Sequence, residues 1–244
     1  MHRFPQTNLQ LYGQLVELGY AEADIASVSR AYELGLTLFP GTYRGSGKPL
    51  LAHLVGTAGI LAALQARGAL IATGLLHAAY THGEFGDGWR GVSDAKRARV
   101  RAAVGVEIED LIARYTAFRW GRETIPGIGA RLDSMTSQER EVLLVRLANE
   151  LEDHLDLGIL YMADAERRLH FMHDGLPAAA MMAERLGHPK LATDLTAAFQ
   201  EITRAEISPE LRRGDTESFR LPFASHRLRL RLAIRHLIAR DPWR

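Results

Sequence analysis

YRGSGKPLLAHLVGTAGILAALQARGALIATGLLHAAYTH, residues 43–82, decides how the rest of the chain is read. It opens on a basic, glycine-bearing loop from Arg44 to Pro49. Two apolar segments follow, and both read as helices. His53 lies near the start of the first, His77 at the end of the second, and His82 just beyond it. The first two histidines are 24 residues apart. Two antiparallel helices joined by a short turn bring such positions together, so one pocket can hold both.

Outward from this stretch the helical pattern persists. On the N-terminal side, Asn8 to Leu18 and Ala23 to Leu38 carry apolar residues at helical spacing. On the C-terminal side, residues 83–91, GEFGDGWRG, hold four glycines and form a loop of the kind that rims sites. Helices are expected over about 94–104 and 108–118, and then a breaker-rich loop over 119–135. A strong helix runs from Ser137 to about Leu157, with Asn149, Asp153 and Asp156 on one face. Further helices cover about 162–173, 176–187 and 189–205. No strand-period segment and no internal repeat emerges, so the expected class is all-α. The division is a helical domain over 1–205 and an arginine-rich extension over 206–244. Residues 220–244 hold seven arginines and one acidic residue. The extension reads as a solvated or self-docking tail.

Composition excludes several classes. The net charge is +1, which offers no electrostatic footprint for nucleic acid. There is no cysteine, so neither disulfides nor thiolate metal sites exist. The apolar runs reach about a dozen residues and are interrupted, too short to span a bilayer. No signal-peptide pattern opens the chain, and the expectation is a cytoplasmic protein with no membrane partner.

Five collinear segments resemble the hydrolase domain of RelA/SpoT-type stringent-response enzymes, within the HD-domain superfamily. DIASVSRAYELGLTLFPGTYRGSGKPLLAHLVGTAGIL is similar to that domain's opening helix, basic loop and metal-binding histidine. ATGLLHAAYTH is similar to its A-x-LLHD-x-x-ED segment. GVEIEDLIARYTAF, LVRLANELEDHLDL and LPAAAMMAERLGHPKLATDL resemble the three that follow. The resemblance covers roughly residues 24–200 and implies an HD-domain-like helical bundle.

Taken position by position, it implies metal ligation at His53, His77, residue 78 and residue 149. The last two are aspartates in the family, and here they are Ala78 and Asn149. The family's acidic pair falls on Thr81 and His82, and its nucleotide-contacting asparagine on Asp153. Arg44 matches a residue that packs on a guanine ring. Replacing two carboxylates by a methyl and an amide removes charge as well as donors. Hydrolysis of guanosine tetraphosphate by the family mechanism is therefore not expected.

Several roles stay open. His53, His77 and His82 form a candidate metal triad for one Zn, Fe or Mn ion, or His53 and His77 are relics and no metal is held. Arg44, Ser46, Lys48 and Asn149 are the candidate ligand-binding residues, and a small anionic, nucleotide- or phosphate-like molecule is the expected partner. Acid–base work would fall to His77, His82 or Asp153. Glu150 and His154, one turn apart, read as an acid–base pair or a helix contact. Phe85, Trp89 and Trp120 would lid the pocket or anchor their loops. The function is then either a divergent, hydrolase-like HD enzyme or an inactive ligand-sensing or protein-interaction module.

Overall fold

The structure is a computed structural model that describes residues 4–214 and 217–221, with the backbone alone for 171–174. The regular elements of the described residues are helices apart from one two-stranded ribbon. No described helix is long and apolar enough to cross a membrane.

The centre is a pair of helices, α3 (Leu50–Ala63) and α4 (Gly68–Leu76), whose residues are buried almost all round. Helices that are apolar on every face belong inside a bundle. The other helices pack on this pair or on one another. They are α1 (Asn8–Glu17), α2 (Glu22–Leu38), α5 (Ala79–His82), α6 (Asp94–Val104), α7 (Val106–Ala117), α8 (Ile125–Ala130), α9 (Ser137–His154), α10 (Ala165–Arg185) and α11 (Pro189–Arg204). Helix α9 packs on α3, α7 packs on both α4 and α9, and α2 covers α4. Thr136 and Glu139 close a capping box at the start of α9, and Thr7 and Gln10 do the same for α1.

The expected 70–80 helix breaks at His77-Ala78, leaving α5 as a single turn. The helix expected to reach Leu157 ends at His154 and tightens into a 3-10 segment, Leu155–Tyr161. Within that segment Asp156 and Leu157 both have φ +57°. A left-handed leucine is strained, and here it lies between Leu155 and Gly158, both of which line the cavity described below. The two helices expected over 162–187 are one, α10, continuous through Pro177. Burial of Leu176, Ala179, Met182 and Ala183 against its neighbours outweighs the missing N–H.

The ribbon was not expected. Strand β1 (Thr42–Tyr43) pairs antiparallel with β2 (Phe219–Arg220), and Phe219 stacks on Tyr43 at 5.6 Å. The start of the arginine-rich segment thus lies along the root of the basic loop. The rest of that segment, from Pro222 and including the apolar residues Leu228 to Ile238, lies outside the described residues.

Candidate functional site

Because α3 and α4 are consecutive and antiparallel, the start of one meets the end of the other. His53 is on the first turn of α3, and His77 caps α4. Their rings lie 5.4 Å apart, edge to face. The last turns of α9 close the third side, and the loop before α3 closes the fourth.

His53 is fully buried and held at both nitrogens. Nδ1 donates to a Glu152 carboxylate oxygen, and Nε2 faces Asn149 Oδ1 at 3.1 Å. Asn149 Nδ2 donates to Asp153 Oδ2 at 3.2 Å. A carboxylate only accepts, so Asp153 dictates which way the Asn149 amide points. Both His53 nitrogens therefore face side-chain oxygens, from Glu152 on one side and Asn149 on the other.

Two cations from the basic loop complete the network. Arg44 is paired with Asp153 and Lys48 with Glu152, and Asp156 lies 3.6 Å from the Lys48 ammonium. Burial works to raise the Asp153 carboxyl, but the Arg44 guanidinium and His53 outweigh it and hold it well below the usual range. Arg44 and Lys48 thus balance Asp153 and Glu152, two charges against two, with Asp156 half-exposed at the edge. Ser46 sits beside them, its hydroxyl 3.4 Å from the Lys48 N–H.

These groups line a cavity of about 150 Å³ together with Glu150, His154 and the 3-10 segment after α9. The i,i+4 link between Glu150 and His154 runs through the backbone: His154 Nδ1 donates to the Glu150 carbonyl. His154 Nε2 is buried and without a hydrogen-bond partner. Burial pushes the Glu150 carboxyl up, against the pull of His154 and Arg146.

The remaining sequence candidates fall elsewhere. His77 donates from Nδ1 to the Gly74 carbonyl at 2.8 Å, and its ring packs on Tyr115. Burial and then the His53 charge push its pKa well down, so it is neutral. It touches the His53 ring but does not line the cavity. His82 lines a second hollow with Glu84, Trp89, Arg90 and Arg220. Burial and the Arg44 charge lower its pKa to about 4. Phe85 anchors its loop, stacked on Tyr80 at 6.1 Å, whereas Trp89 is 78% exposed and does not line the first cavity. Trp120 stacks on Phe118.

The metal set that the resemblance implies has lost its charge, since Ala78 offers a methyl and Asn149 serves His53 and Asp153. Among the described residues, the group whose donor atoms lie within 4.8 Å of one another is His53, Glu152 and Asp153. The candidate triad does not form: of its members only His53 belongs to this group. One nitrogen and several carboxylate oxygens suit a borderline or hard divalent ion.

Glu152 is the residue that sequence reasoning missed. A charged residue on an amphipathic helix reads as solvated, yet its side chain is 1% exposed. A signal was present in α3 rather than α9. Gly56 interrupts an apolar helix, and a Cβ there would stand 2.6 Å from Glu152 Oε1 and 2.8 Å from its Cγ. Isolated glycines of this kind mark close approach. Alanine favours a helix over glycine by roughly 1 kcal/mol. Gly56→Ala is nevertheless expected to lose about 1–3 kcal/mol in urea denaturation, the range for overpacking. A stabilised variant would show that Glu152 has room to retreat.

Comparison with known families adds one match. A family described as a domain of unknown function, DUF6817, matches residues 38–119, which take in the basic loop and both histidine-bearing helices. No curated protein matches the chain.

Proposed function

We propose that the chain is a divergent HD-type domain, hydrolase-like in its chemistry, that takes a small anion into the cavity between the basic loop and the end of α9. The observation that carries this reading is that one cavity joins two cationic anchors, Arg44 and Lys48, to the proton-handling groups Glu150 and His154. At about 150 Å³ it lies below the roughly 300 Å³ at which small-molecule pockets begin. It fits a phosphate- or carboxylate-sized group better than a whole nucleotide.

In this reading Arg44 grips the anion with its planar fork, and Lys48 adds a point charge. His154 Nε2 is the base that accepts a proton from the attacking water, and Glu150 with its raised pKa returns one to the leaving group. Asp153 and Asn149 are positioning residues, since they act through Arg44 and His53. A divalent ion held by His53, Glu152 and Asp153 would supply Lewis-acid activation. One observation favours a second reading, a non-catalytic anion sensor. The carboxylates are already satisfied by Arg44 and Lys48, as a site that has exchanged its metal for protein cations would be.

The test is a ligand-induced melting shift over phosphate, phosphate esters and small carboxylates, with and without Mn²⁺. Arg44→Ala is expected to weaken the best ligand by about 1.5–3 kcal/mol, the range for a hydrogen bond to a charged group. Arg44→Lys restores part of the affinity. Equal shifts in all three proteins would remove the cavity as the binding site. Turnover of an ester that disappears in His154→Gln, with binding intact, separates the enzyme from the sensor.

A further inference from the structure

We infer that Arg44 and Lys48 are exchangeable counterions: a divalent cation displaces them from Asp153 and Glu152, and the two freed side chains bind the anion. This rests on the anion-binding reading of the same cavity and adds its regulation. The metal position differs from the one the resemblance implies, because Glu152 and Asp153 supply the charge lost at positions 78 and 149.

Charge balance carries the argument. The Arg44–Asp153 and Lys48–Glu152 pairs are together neutral, with two positive and two negative groups. A dianion alone, held by Arg44 and Lys48, would strip Asp153 and Glu152 of their partners and leave uncompensated charge inside. A divalent cation alone would have to compete with a guanidinium and an ammonium for the same oxygens. Both together leave every charge paired. Buried charge without a partner costs several kcal/mol, so the joint state is favoured over either single one. The geometry permits the exchange. His53, Glu152 and Asp153 place their donor atoms within 4.8 Å of one another. Arg44 and Lys48 stand on a loop broken by Gly45 and Gly47, with side chains 26% and 21% exposed, so their heads can turn without unfolding a helix. A second observation points to a ligand in the same space: His154, itself 5% exposed, lines the cavity with an unpartnered Nε2.

The experiment is calorimetry on the full chain with Mn²⁺ and inorganic phosphate, each titrated alone and in saturating amounts of the other. Bound Mn²⁺ is counted independently by electron paramagnetic resonance. One equivalent of Mn²⁺ is expected, with its Kd at least tenfold lower in phosphate. Phosphate affinity should rise by the same factor in Mn²⁺, because coupling is reciprocal. In phosphate-free buffer, Lys48→Met should bind Mn²⁺ at least tenfold more tightly than wild type, as a competitor for Glu152 has gone. Asp153→Asn should bind it at least tenfold more weakly. Circular dichroism and melting show that each variant folds. An Mn²⁺ affinity that is absent, that is indifferent to phosphate, or that is unchanged or weakened in Lys48→Met overturns the inference. Phosphate binding that depends on Arg44 but not on Mn²⁺ would overturn the exchange while leaving the anion site standing. Loss of Arg44-dependent binding under all conditions would remove both.

Discussion

Glu152→Ala is expected to lower the unfolding free energy by about 3 kcal/mol, the low end of the 3–5 kcal/mol for removing one partner of a buried ion pair. The Glu152 side chain is 1% exposed, and its two oxygens accept from Lys48 and His53. Without it, the buried His53 ring loses a hydrogen-bond partner and a largely covered ammonium loses its counterion. The low end applies because Lys48 is 21% exposed and can turn toward water. Urea denaturation followed by circular dichroism measures the loss. Pairing the change with Lys48→Met should recover part of it, since apolar replacement of a buried pair is often close to neutral. A loss under about 1 kcal/mol would mean that His53 and Lys48 are held in place without Glu152.

Glu109→Ala should cost as much or more, about 3–5 kcal/mol. Glu109 is fully buried where α5, α6 and α7 meet. One oxygen accepts from Tyr80 at 2.8 Å and Arg97 at 2.6 Å, the other from Arg97 at 2.9 Å and Arg101 at 2.6 Å. Burial works to raise its pKa, but Arg97, Tyr80 and Arg101 together depress it. A depressed native pKa means that the contribution is full above the ordinary carboxyl value of 4.5. It is lost as the pH falls through the lower, native value. The gap between wild type and variant should therefore narrow from neutral pH into acid. A gap that stays constant would show that Glu109 acts through packing alone. None of its partners lines the cavity, so this network supports the helices that frame the site.

Much of this architecture was legible in the residues. Apolar runs from Leu50 to Ala63 and from Leu70 to Leu76 can only be interior helices, and two such helices in succession carry His53 to His77. The basic, glycine-broken loop before them announced that Arg44 and Lys48 would be presented together. The site was legible only in part, and the misses share one cause. His77, His82 and Glu152 were judged by residue type and helix face, whereas their roles depend on neighbours far away in the chain. A turn at Ala78 sends His82 to a different hollow, and Glu152 is buried because Gly56, 96 residues earlier, leaves space for it.

Periodicity, breakers and composition by themselves determined the helical class, the central helix pair and the cationic loop, because those depend on local propensity and on which face of a helix is apolar. Only the tertiary structure decided which charges are partners. Arg44 with Asp153, Lys48 with Glu152, and His53 between Glu152 and Asn149 are contacts across about a hundred residues of chain. Their worth comes from burial, since the same groups in water would attract each other only weakly.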